Sequence, residues 1–302
     1  MTYNKSFLAA SLTTFIWGFS YISTKVLVYS ISPYLLVFYR FLISSAFLLI
    51  LLKLREKKLH IRLVDLPRFL FTSIIGYTVY FLLESNGIKL TSASIASIII
   101  GTIPVLSLLT DVIFFKNRLT GVKLISVALS FAGILMVIGN PTVDRINPLG
   151  VLLVFGAASC WIFFNYMNQP LYFNYSTLAI TTWQTLIALV SMLFVVLIKE
   201  KNLLISVNSE QFLHIVFLGL AASAGGFLFY IYALKNLGVV ATTLFVNFIP
   251  VTTMLTGRIF LNEHLTSLQW IGGFIIVISL YTGSILSSKN SVKTVPKDSK
   301  TG

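Results

Sequence analysis

Cysteine is almost missing: Cys160 is the single one among 302 residues. One thiol permits no intrachain disulfide and no thiolate metal cluster. Histidine is scarce, and His60, His214 and His264 lie in distant segments, so no metal-ligand spacing exists. No GxxxxGK[ST] stretch occurs, which excludes ATP-driven pumping from this chain alone. The apolar stretches also lack a cluster of catalytic carboxylates, so neither an enzyme nor a cofactor is expected. Charge is thin as well, at 10% of residues against 57% hydrophobic. Soluble domains run near about 25% charged. A chain this apolar needs a bilayer as its solvent.

What charge there is leans one way, with 22 basic residues, 9 acidic ones and a net charge of +13. A nucleic-acid partner does not follow, because the basic residues sit in connecting segments, as membrane proteins place them. Apolar spans of bilayer length fall at 7–28, 34–52, 68–86, 93–115, 122–139, 149–167, 178–198, 211–232, 241–261 and 268–287. With the N-terminus inside, most Lys and Arg lie on the inner side. Lys89, Arg145, Lys199 and Lys201 are the outer ones. Both termini are therefore expected in the cytoplasm of a multi-pass cell-membrane protein. The Lys/Ser/Thr-rich stretch 288–302 is expected to be a disordered cytoplasmic tail.

The stretch Leu90 to Ile134 returns at a shift of 146. Lys89 falls on Lys235, Ile103-Pro104 on Ile249-Pro250, and Leu119-Thr120 on Leu265-Thr266. Self-similarity at half the length implies two homologous halves, 1–139 and 149–287. Five helices per half is an odd number, so the second half starts on the opposite face. The expected fold is an all-α membrane protein with ten transmembrane helices in two inverted five-helix repeats.

Polar residues inside spans are the candidates for function, since charge there is costly. Arg40 and Glu84 sit at similar depth in the second and third spans, where a pair is plausible. Arg40 suits a substrate carboxylate, because its planar fork binds one in a bidentate way. Glu84 suits proton uptake. Tyr77, Tyr80 and Glu84 share one face of the third span, and Tyr230 is the repeat partner of Glu84. Trp17 and Trp161 mark equivalent points of the first and sixth spans, with Asn165 one turn beyond Trp161. Core packing and ligand stacking are both open to these rings. Pro104 and Pro250 interrupt the fourth and ninth spans. Gly101 and Asn247 lie on the same faces as those prolines. The expected substrate-binding set is Trp17, Tyr80, Gly101, Trp161, Asn165, Tyr230 and Asn247. Arg40, Glu84, Pro104 and Pro250 are the expected coupling or gating residues. Lys25 is expected to snorkel to the interface or pair with Glu263.

Several marks together resemble the EamA family of the drug/metabolite transporter superfamily. They are Trp17-Gly18, Arg40-Phe41, Lys89 to Ser94, Pro104, Ala157-Ala158 with Trp161, Ala233-Leu234-Lys235, Pro250, Asn262-Glu263 and Gln269 to Gly272. The resemblance covers nearly all of 7–287 and implies ten helices, two inverted repeats and a central cavity. It implies transport of amino acids and other small metabolites without ATP. One departure is that Asn117 stands where the first half would match Glu263. The expected function is a secondary transporter, in the export direction, of a small metabolite such as an amino acid. Possible proton coupling and a monomeric or homodimeric state go with it. The alternatives are multidrug or amphiphile efflux, or a membrane sensor or scaffold without transport.

Overall fold

In the computed structural model the described residues are 2–56, 61–115, 121–138, 147–262, 265–275 and 277–279. Expectations for Asn117, Glu263, His60, His264, Arg145, the end of the last span and the 288–302 tail lie outside them. The described residues are helical, with no strand among them. We label the segments α1 Thr2–Leu27, α2 Pro33–Arg55, α3 Leu63–Leu90, α4 Ala93–Phe114, α5 Gly121–Ile138, α6 Pro148–Phe173, α7 Thr177–Lys199, α8 Ser209–Leu237, α9 239–260 and α10 Ser267–Ser279. Six of them, α2, α3, α4, α6, α7 and α8, are long and apolar enough to cross a membrane. Large apolar side chains such as Phe15, Ile50, Phe194 and Leu197 point outward, as a lipid-facing surface requires.

Local chemistry sets the helix starts. Ser32, Ser92 and Ser176 accept hydrogen bonds from the backbone N–H groups of Leu35, Ile95 and Ala179. Pro33 and Pro148 occupy first-turn positions, where a missing N–H costs nothing. Asn208 and Gln211 form a reciprocal capping box at the start of α8.

The prolines act on the helix before them. A proline lacks an N–H and its ring crowds the carbonyl four residues back. Those carbonyls belong to Ile100 and Val246. The α4 ladder breaks at Gly101–Thr102, and the α9 ladder breaks at Asn247, each directly after that residue. The two breaks meet: a Cβ on Gly101 would stand 2.9 Å from the Pro250 ring. A second matched irregularity had no sequence signal. Ile74–Val79 of α3 and Leu218–Gly225 of α8 are π-helical.

Packing runs across the halves. α1 lies on α8 and α9, α2 on α7, α3 on α6, and α4 on α9 and α6. The buried core therefore sits between the two halves. α2 and α7 run antiparallel and are clasped at both ends. Ser32, which caps α2, donates to Glu200, which ends α7. Ser176, which caps α7, donates to Glu56, which ends α2.

Candidate functional site

The site forms where α1, α2, α3, α6 and α8 meet, and it is built around Glu84. One Glu84 oxygen accepts from Tyr21 Oη at 2.8 Å and from Tyr80 Oη at 2.6 Å. Tyr80 is one turn before Glu84 on α3, so helical spacing alone supplies that contact. Tyr21 comes from α1. Glu84 is 5% exposed and Arg40 is 2% exposed.

Arg40 projects from α2. Its Nε donates to Ser223 Oγ at 2.8 Å, which fixes the plane of the guanidinium. Its carbon centre lies 4.0 Å from the centroid of the Phe81 ring, a cation–π distance. Among the described residues no ion pair joins Arg40 to Glu84. Both side chains line the same pocket, with Tyr21 and Tyr80 beside them. The pair expected from depth is thus a shared site rather than a contact. The aromatic ring and the two phenols take the places that a direct bridge would have used.

Aromatic rings wall the pocket. Trp17 and Trp161 meet edge to face at 5.3 Å. Tyr80 lies 4.9 Å from Trp161, and Phe227 lies 5.5 Å from Trp17. Trp17 fits because residue 226 is glycine: a Cβ there would come within 2.5 Å of the indole nitrogen. That nitrogen donates to the Ala222 carbonyl at 3.0 Å, which the π-helical stretch of α8 presents. Trp161 donates to Tyr230 Oη at 3.1 Å, and Tyr230 donates to Asn165 Oδ1 at 3.2 Å. The cavity left between these walls is ≈ 20 Å³, room for about one water. The walls must separate before a metabolite enters.

The expected residues divide into three groups. Trp17, Arg40, Tyr80, Glu84 and Trp161 line the pocket together. Tyr230 and Asn165 stand behind Trp161 as a buried relay. Gly101, Pro104, Asn247 and Pro250 belong to the helix breaks, and only their neighbour Ile249 reaches the pocket wall. Lys25 does not snorkel. It is 7% exposed and donates to the carbonyls of Ile88 and Thr91, closing the C-terminus of α3. Tyr21, Ser20, Phe81 and Phe227 were missed as site residues. Tyr21 stands one turn after Trp17, and Phe227 is the repeat partner of Phe81, so spacing held a faint signal for both.

Comparison with known proteins agrees with this architecture. A model of the EamA-like transporter family matches twice, at residues 4–139 and 148–284. An uncharacterized transporter of Archaeoglobus fulgidus is 24% identical over 92% of this chain and 98% of its own length. A probable amino-acid metabolite efflux pump of Escherichia coli is also 24% identical, over 92% and 94%. A solved crystal structure at 17% identity shares the fold with a TM-score of 0.70, covering 94% of this chain and 98% of that one. With matches to both halves, the chain belongs to the EamA-like transporter family and is a membrane transporter.

Proposed function

We propose that this transporter moves a small polar metabolite bearing a carboxylate, an amino acid or close relative, across the cell membrane by alternating access. The observation that carries this reading is the placing of Arg40 and Glu84 in one buried, aromatic-walled pocket without a bridge between them. An α-amino acid carries both complementary charges on one carbon. Its carboxylate would meet the Arg40 fork and its ammonium would meet Glu84. The Escherichia coli relative's name points to the same substrate class.

Ten spans in two inverted repeats complete the proposal. The antiparallel clasp of α2 and α7, which are repeat partners, supports the inversion. Inverted halves give inward-open and outward-open forms that nearly mirror each other. The basic inner loops support cytoplasmic termini, and the name of the Escherichia coli relative, an efflux pump, supports the export direction. Glu84 is the proposed proton-coupling group, because a substrate ammonium and a proton compete for one carboxylate. The transporter works as a monomer or homodimer. Amphiphile efflux is the second reading, favoured by the ring-rich walls around Trp17 and Trp161.

Counterflow in proteoliposomes tests this directly. A panel of amino acids, organic acids, nucleosides and amphiphilic cations would be offered with and without a pH gradient. Saturable counterflow of amino acids is expected. Counterflow of amphiphilic cations alone would favour the second reading. Glu84→Gln should weaken exchange, because the substrate ammonium loses its carboxylate partner, and should lose the response to the pH gradient. An unchanged response would remove Glu84 from coupling.

A further inference from the structure

A second buried polar cluster lies on α3, α6 and α7, apart from the pocket lining. Gln184 Nε2 donates to Thr72 Oγ1 and to Asn168 Oδ1, both at 2.7 Å. The Tyr77 phenol faces Tyr172 and Thr185, and Tyr172 lies beside Asn168 and Tyr230. Tyr77, Asn165, Asn168 and Gln184 are wholly buried. Five polar atoms here make no hydrogen bond of normal length and angle, although Thr185 lies near the Tyr77 phenol and Asn168 near the Tyr172 phenol: Tyr77 Oη, Tyr172 Oη, Asn165 Nδ2, Asn168 Nδ2 and Gln184 Oε1. Buried polar groups in proteins are nearly all paired, because an orphan forfeits its hydration with nothing in return. Orphans gathered in one place mark a location built to bond something else.

Repeat positions say what that place is. α2 and α7 carry matching caps, Ser32 with Ser176 and Glu56 with Glu200, a shift of 144. At that shift Arg40 falls on Gln184, Trp17 on Trp161, Tyr21 on Asn165, and Val28 on Tyr172. In α3 and α8 the shift is 146, so Glu84 falls on Tyr230 and Ser223 on Tyr77. The bond from Tyr21 to Glu84 is therefore repeated as the bond from Tyr230 to Asn165. The second cluster is the counterpart of the charged pocket, rebuilt with amides and phenols in place of Arg and Glu. Phe227 stands between the two, 4.3 Å from the Tyr77 ring and 6.0 Å from the Phe81 ring.

We propose that this neutral cluster is a second ligand subsite, which takes the substrate carboxylate in the state opposite to the one that presents Arg40. The proposal rests on the transporter reading. Four of the five orphans are amide or phenol groups able to donate, and a carboxylate only accepts. Without a fixed positive charge, this subsite holds the carboxylate more loosely than Arg40 does. Phe227 must swing aside for the ligand to pass from one subsite to the other.

The test pairs stability with flux on the full chain in proteoliposomes. Tyr77→Phe/Tyr172→Phe removes two hydroxyls that make no hydrogen bond of normal geometry. The double variant should melt within about 1 °C of wild type or above it, since apolar replacement of an unpaired group is neutral or better. Its KM for counterflow of glycine, L-serine, L-glutamine or L-glutamate, whichever the wild type exchanges, should rise about tenfold. An unchanged KM, or a fall in melting temperature, overturns the proposal. If the wild type exchanges none of these four, the amino-acid reading fails separately. The cluster is then judged by Asn168→Cys in a Cys160→Ser background. Modification by a water-borne methanethiosulfonate supports a ligand-accessible chamber, and inertness overturns it.

Discussion

The two polar clusters occupy equivalent places in the two halves, yet one is charged and the other is not. Around Glu84, two phenols and a nearby guanidinium surround a carboxylate. Around Tyr230, an amide and an indole surround a phenol. The geometry is kept while the charge is removed. Charge inside a membrane is costly wherever it sits, so carrying it in one half only limits that cost. The asymmetry also sets how tightly a ligand is held from each side. It cannot move the equilibrium of transport, which the gradients fix.

Substitutions at matched positions sharpen this contrast. The largest effect is expected at Arg40. Arg40→Met removes a buried, hydrogen-bonded charge, a loss of about 2–5 kcal/mol and so roughly 30-fold or more in substrate affinity. Gln184→Met, its counterpart, removes neutral hydrogen bonds within the protein, to Thr72 and Asn168, worth about 1 kcal/mol each, and should lower affinity less than Arg40→Met does. Concentration-dependent counterflow by each variant measures the difference. Equal losses would erase the distinction between the clusters. The smallest effect is expected at the clasps. Ser32→Ala and Ser176→Ala each remove a helix cap worth about 1 kcal/mol. They should lower the melting temperature alike and leave affinity unchanged, because the two ends of the α2–α7 pair are built the same way.

Much of this arrangement could be read from the residues. Arg40 and Glu84 stood out because charge in an apolar span demands a reason. Pro104 and Pro250 announced their breaks, because a proline disrupts a helix by a local steric rule. The pocket's other half was hidden. Phe81 and Phe227 are ordinary residues for an apolar helix, and only the meeting of their rings across α3 and α8, with Arg40 of α2 over Phe81, gives them a role. The π-helical stretches in α3 and α8 leave no mark in hydrophobic periodicity, since they shift the register by a single residue. The snorkelling expected of Lys25 is not found, for a related reason. Snorkelling assumes an open path to the interface, whereas the carbonyls it meets belong to another helix.

The central claim is that Arg40 reads a carboxylate, and one comparison tests it most directly. A transported amino acid and its amide, which lacks the carboxylate charge, would compete for counterflow in wild type and in Arg40→Met. Wild type should prefer the free acid by about tenfold or more, and the variant should lose that preference while still binding both. If Arg40→Met kept the preference for the acid, the carboxylate would be recognised elsewhere, and this account of the pocket would be wrong.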